Sequence, residues 1–298
     1  MKRLIFRGVG TALITPHRRG RIDYPRLEDL IERQIASGIG ALIIGGTTGE
    51  AATLGDSERR ELYRRARALT EGRCALILGA GTNDTRTTKA RCAEAEKIGC
   101  DGVLLVTPYY NKGTREGVIR HYREAAKSTS LPIILYNVPP RTGVDLDPES
   151  VERLAECDNI VGIKEASGKV GRLAELAAVC ARCALALYAG NDADTLAAIR
   201  LGGMGVISVL SNLCPGQMSK MAALELSGDS EGASAAEAEL LPLMKAMFLE
   251  TNPAPIKYAL SRLGLCFGEM RLPMWEVGEE TKRKIDEVMR ESGLLMPE

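Results

Sequence analysis

The chain has 298 residues, and its 39 Lys plus Arg balance its 39 Asp plus Glu, so the formal net charge is zero. That balance leaves no electrostatic footprint for nucleic acid or an anionic membrane. With 45% hydrophobic and 26% charged residues, the composition suits one large globular domain or a domain with an appendage.

No apolar run is long enough to span a bilayer. The first residues, MKRLIFRGVG, meet Arg7 too early for a secretory leader, so a cytoplasmic protein is expected. Eight cysteines are scattered through apolar segments and read as small buried hydrophobes. Cys180 and Cys183 have CxxC spacing, but no second pair and no nearby histidine supports a zinc or redox reading. His17 and His121 are the only two histidines. A histidine triad or multi-histidine metal site is poorly supplied, and proton transfer falls to lysine, tyrosine or a carboxylate.

In chain order, short β-rich apolar runs occupy 8–16, 40–50, 74–84, 102–111, 132–140, 160–167, 185–192 and 205–212. Each is nearly continuously apolar, as parallel strands covered on both faces require. Amphipathic helical patterns separate them, such as YPRLEDLIERQIASG and SERRELYRRARALTEG, several ending in glycine. Eight strands alternating with helices give an α/β (β/α)8 barrel. A doubly wound open sheet is the alternative, but its GxGxxG turn is missing after the first strand, which ends ITPHRRGR. Beyond about residue 213 the pattern is helical only. The expected organisation is a barrel over 1–225 and a helical C-terminal extension over 226–298.

In such a barrel the active site lies at the C-terminal ends of the strands. Polar residues collect there: Gly45-Gly46-Thr47-Thr48-Gly49-Glu50, Gly81-Thr82-Asn83, Thr107 with Tyr109, Tyr110 and Asn111, Tyr136-Asn137 with Arg141, Lys164-Glu165, and Gly190-Asn191-Asp192. The glycine and threonine stretch reads equally as a tight turn capping the next helix or as an anion cradle of backbone N–H groups and hydroxyls. Glu50 reads as structural, an acid near a helix start. The tyrosines read first as packing residues and Arg141 as solvated.

Lys164 ends the apolar run VGIKEAS. One reading turns it outward to pair with an acid on a covering helix. The other points it into the barrel, where a desolvated amine attacks a carbonyl to form a Schiff base. Tyr136, one strand earlier at the same level, favours the second, since its hydroxyl could relay protons.

The segments GGTTGEAATL, TPYYN, YNVPPRTG, GIKEAS and ETNPAPIKYAL closely resemble the dihydrodipicolinate synthase family, within the N-acetylneuraminate lyase superfamily of pyruvate-dependent class I aldolases. The resemblance runs from GVGTALITP to RLPMWEV, in the family's order and spacing. It implies a catalytic set of Lys164, the Schiff-base lysine, Tyr136, a proton shuttle above the imine, and Thr47, which links Tyr136 to Tyr110. The family's second tyrosine, matched by Tyr110, reaches into a neighbour's site. For substrate it implies Thr48 on the pyruvate carboxylate, Arg141 on the carboxylate of aspartate semialdehyde, and the backbone of Gly190 and Ile207 lining the site. It further implies no metal or organic cofactor, a homotetramer built of tight dimers, and a place in lysine and diaminopimelate biosynthesis.

Arg141-Thr142-Gly143 favours a small carboxylated aldehyde, because a guanidinium offers bidentate recognition of a carboxylate. A sister aldolase acting on a 2-keto-3-deoxy sugar acid or N-acetylneuraminate is the alternative. A keto-acid sensor without turnover and a phosphate-binding barrel isomerase are weaker ones. In one respect the chain departs from the family's lysine-inhibited members. Asn83 and Tyr109 match the inhibitor pocket, but Arg59 stands in place of histidine and Thr87 in place of an acid. Weak or absent lysine feedback is therefore expected.

Overall fold

The computed structural model describes residues 2–169 and 171–296. Eight parallel strands form a closed barrel: β1 (Gly8–Ala12), β2 (Ala41–Ile44), β3 (Ala75–Gly79), β4 (Gly102–Val106), β5 (Ile133–Asn137), β6 (Ile160–Glu165), β7 (Ala186–Ala189) and β8 (Gly205–Ser208). Each strand pairs with its sequence neighbours, and β1 pairs with both β2 and β8. All eight lie inside the apolar runs expected from the sequence. They stop earlier, because the polar residues beyond them turn into the loops of the barrel mouth.

The surrounding helices are α1 (Tyr24–Ala36), α2 (Asp56–Thr70), α3 (Thr85–Ile98), α4 (Arg115–Ala126), the one-turn α5 (Pro139–Thr142), α6 (Pro148–Leu154), α7 (Arg172–Cys183), α8 (Thr195–Arg200) and α9 (Pro215–Ser227). Three more follow, α10 (Ser230–Ala246), α11 (Ala254–Arg262) and α12 (Glu279–Glu291). A two-residue hairpin pairs His17–Arg18 with Arg21–Ile22 after β1.

The pleat divides the apolar residues into two clusters. Leu42, Ile44, Leu76, Leu78, Ile133, Leu135 and Ile163 face the helices. Ile43, Ile77, Leu104, Ile134, Tyr136, Tyr188 and Ile207 fill the barrel. Near its N-terminal end Phe6 stacks on Tyr188 with ring centroids 4.4 Å apart, and the Tyr188 hydroxyl donates to the Phe6 carbonyl at 2.7 Å. The interior is thus a packed core, with its opening at the C-terminal end.

Register then decides where Lys164 points. It stands opposite Tyr136 of β5 and Tyr188 of β7, both interior residues. Ile163 on one side of it faces the helices. On the other side, the Glu165 carboxylate accepts from Asn137 Nδ2 at 2.9 Å and from the Ser167 N–H at 2.6 Å. The outward lysine paired with an acid on a helix is therefore not what the fold contains. Among the described residues no helix is long and apolar enough to cross a membrane. The eight cysteines are all free, including Cys180 and Cys183 on α7. Burial pushes the Cys180 thiol up to about 12, the behaviour of an inert packing residue.

Candidate active site at the barrel mouth

Lys164 is 5% exposed, and its Nζ lies over the Tyr136 ring, 4.4 Å from the centroid. The ring is thus the face against which the amine packs. Asp192, on the turn after β7, is buried close enough for the Lys164 charge to reach it. Burial pushes the Asp192 carboxyl up, against the pull of hydrogen bonds from Ser208 and the Leu210 and Val209 N–H groups. Those amides donate to Oδ2 at 2.9 and 3.2 Å. Asp192 was picked out in the sequence only as a polar residue at a strand end.

The loop after β2 is a tight turn. Glu50 N–H donates to the Thr47 carbonyl at 3.0 Å, and the Gly49 and Ala51 N–H groups both converge on the Gly46 carbonyl. Gly45 has φ +67°, and a Cβ there would lie 2.6 Å from the Tyr63 hydroxyl, so only glycine suits it. The turn holds Thr48 buried and Thr47 half-buried at the mouth. Thr48 does not cap the next helix. Its Oγ1 accepts from Asn252 Nδ2 at 3.0 Å, while the Glu58 carboxylate serves the N-terminus of α2 by accepting from the Gly55 N–H at 3.1 Å.

Glu50 is structural, as expected, but through a buried ion pair rather than as a helix-start charge. It takes the left-handed conformation, φ 55°, and its carboxylate is buried against Lys257 of α11. Lys257 is fully buried, donating to Glu50 and to the Glu269 carbonyl at 2.6 Å, with His17 Nδ1 at 3.1 Å. The Arg271 N–H donates to the second Glu50 oxygen at 3.1 Å. Burial alone would raise the Glu50 carboxyl, but hydrogen bonds from His17 and Lys257 and the Lys257 charge hold it below the usual range. Burial pulls the Lys257 ammonium below its ordinary value, with Glu50 opposing.

Arg141 sits on α5, exposed at the rim, and its Nη2 donates to the Asn252 carbonyl at 3.0 Å. The sequence reading of Arg141 as a solvated residue did not foresee a helix here. Pro139 and Pro140 start a single turn that Gly143, at φ +68°, ends. Gly190 follows β7, where a Cβ would lie 2.5 Å from Ala166 Cβ and 2.7 Å from the Glu165 carbonyl. Ile207 is fully buried in the barrel interior.

Lys164, Tyr136, Thr48, Gly190 and Ile207 are thus buried in or beside the mouth, with Thr47 and Arg141 at its rim. Tyr110 is not among them: it is 87% exposed with φ 71°, and within the described residues nothing hydrogen-bonds its hydroxyl. The sequence reading missed Asn252 and Lys257, although both lie in the segment ETNPAPIKYAL.

A closed (β/α)8 barrel with a buried lysine amine at the C-terminal end of its strands places this chain in the class of barrels whose mouth is built for chemistry. The model for the dihydrodipicolinate synthetase family matches residues 5–292. The 4-hydroxy-tetrahydrodipicolinate synthase of Thermotoga neapolitana is 46% identical over 294 residues, covering 98% of this chain and all of that one. A crystal structure of dihydrodipicolinate synthase from Thermotoga maritima superposes with a TM-score of 0.96 at 43% identity, covering 98% of this chain and 100% of that one. A structure described as the first monomeric dihydrodipicolinate synthase variant gives 0.96 at 43%, covering 98% of each chain. This chain belongs to the dihydrodipicolinate synthetase family.

Proposed function

We propose that the chain acts as a 4-hydroxy-tetrahydrodipicolinate synthase, condensing pyruvate with L-aspartate 4-semialdehyde in lysine and diaminopimelate biosynthesis. The observation that carries the mechanism is Lys164: a buried amine at the barrel mouth, packed on Tyr136 and without a carboxylate partner within ion-pair distance among the described residues.

The Lys164 amine attacks the keto carbon of pyruvate and water leaves, giving an imine on Nζ. The protonated imine draws electrons from the adjacent methyl group, which gives up a proton to become an enamine. The enamine carbon attacks the aldehyde carbon of the semialdehyde, whose oxygen takes up a proton. The semialdehyde's amino group then attacks the imine carbon, closing the ring and releasing the Lys164 amine. One water is lost overall, and the imine is the only electron sink the chemistry needs, so neither metal nor organic cofactor takes part.

Tyr136 shuttles the protons, and Thr47 connects it to a Tyr110 supplied by a neighbouring subunit. Thr48 holds the pyruvate carboxylate, and the backbone of Gly190 and Ile207 lines the same pocket. Arg141, free of carboxylate partners among the described residues, binds the semialdehyde carboxylate. The exposure of Tyr110 supports a tight dimer, with two dimers in a tetramer. We place the protein in the cytoplasm.

Pyruvate consumption on adding aspartate semialdehyde tests the substrate assignment. Turnover that collapses in Arg141→Ala supports it. Turnover of 2-keto-3-deoxy sugar acids, with none of the semialdehyde, would assign the chain to a sister aldolase.

A further inference from the structure

Asn252 holds both substrate-binding elements at once. It precedes α11, is 4% exposed, and lies 204 residues from Thr48 in sequence. Its backbone carbonyl accepts from Arg141 Nη2 at 3.0 Å. Its side-chain Nδ2 donates to Thr48 Oγ1 at 3.0 Å, while its Oδ1 is buried without a partner among the described residues. A hydroxyl has one proton to give and lone pairs to accept with. An amide N–H aimed at Thr48 Oγ1 occupies the accepting side and leaves the Thr48 proton free to point elsewhere.

We infer that Asn252 is a positioning residue that turns the Thr48 hydroxyl into a donor for the pyruvate carboxylate, and that its backbone independently sets Arg141 for the second substrate. This rests on the synthase reading, in which Thr48 meets pyruvate. The direction of the amide matters. A group that accepted from Thr48 would withdraw the very proton the carboxylate needs and would leave a hydroxyl lone pair facing an anion. Because the Arg141 contact uses the main chain, changing the side chain separates the two substrates.

The test is borohydride trapping of pyruvate over a concentration series, with steady-state kinetics for both substrates, in wild type, Asn252→Asp, Asn252→Leu, Thr48→Val and the Asn252→Leu/Thr48→Val double variant. An ionised carboxylate can only accept, so Asn252→Asp should raise the pyruvate half-saturation roughly 10- to 100-fold, the worth of one hydrogen bond to a charged group. The semialdehyde KM should stay within about twofold. Lowering the pH should restore pyruvate binding to Asn252→Asp as its carboxyl regains a proton to donate.

The neutral Asn252→Leu excludes charge repulsion as the cause. Its effect should vanish in the Thr48→Val background, because both changes act through one hydroxyl. Losses that multiply in the double variant, or equal rises in both KM values, would overturn the inference. So would an Asn252→Asp enzyme that binds pyruvate like wild type. A wild-type chain that traps no pyruvate would instead remove the synthase reading itself.

Discussion

Replacing Lys257 with methionine removes the cation that neutralises Glu50. Both side chains are essentially inaccessible, at 0% and 1% side-chain exposure. The other contacts on that carboxylate are His17 and the Arg271 N–H. Breaking one side of a buried pair leaves an uncompensated charge, costing about 3–5 kcal/mol. At the roughly 2 °C per kcal/mol expected for a chain of this size, the melting temperature should fall by about 6–10 °C. The penalty should depend on pH in a defined direction. Without Lys257, burial is opposed only by His17 and the Arg271 N–H, so the folded Glu50 carboxyl should rise from its depressed position to above its unfolded value near 4.3. The folded state then binds the extra proton, so the penalty is small at about pH 4.5 and grows as pH rises through the shifted pKa. Adding Glu50→Gln should recover much of the loss. Differential scanning fluorimetry of the two variants from pH 4.5 to 8.5 checks this. A loss below about 1 kcal/mol, or one that does not change with pH, would refute the argument that Glu50 is buried as a charged group.

Three other outcomes are expected. Arg141→Ala should raise the semialdehyde KM by roughly 10- to 100-fold while leaving pyruvate trapping intact; equal loss of both would show that Arg141 is not specific to the second substrate. Lysine titration should give no inhibition at micromolar concentrations. At the matching positions Arg59 is a buried cation donating to the Ala51 and Leu54 carbonyls, and Thr87 is spent on Asp84, the cap of α3; a micromolar inhibition curve would contradict this. Acid should destabilise the fold as pH drops from about 4.5 towards 2. Glu58 is held at about 2, first by its hydrogen bonds from Arg271. Asp145 is also held at about 2, where Arg172 and Lys169 outweigh burial. Carboxyls depressed in the folded state stabilise it above their unfolded pKa, and that contribution is lost as they protonate. Glu58→Gln should flatten this part of a stability–pH profile, and an unchanged profile would count against the Arg271 pair.

The barrel was legible because each strand is an apolar run long enough to be buried on both faces, and Lys164 stood out as a charge closing one of them. The contacts that organise the mouth were harder to see. Lys257 reads as a solvated lysine on an amphipathic helix, and nothing local distinguishes it: its partner Glu50 is 207 residues away. Asn252 reads as a residue preceding a helix, while its contact with Thr48 spans the whole barrel. The acid in GGTTGE looked like a helix-start charge, because a charge near a helix end needs no further reason. Its burial against Lys257 depends on how the C-terminal helices fold back over the mouth. Tyr110 shows the opposite limit, since a single chain leaves it in solvent and any role for it depends on an assembled neighbour.

The central claim is that Lys164 carries the chemistry. Pyruvate and borohydride, followed by intact mass and peptide mapping, test it most directly. One pyruvate-derived adduct per chain is expected, on Lys164 and absent from Lys164→Ala. No adduct, or one on another lysine, would contradict it.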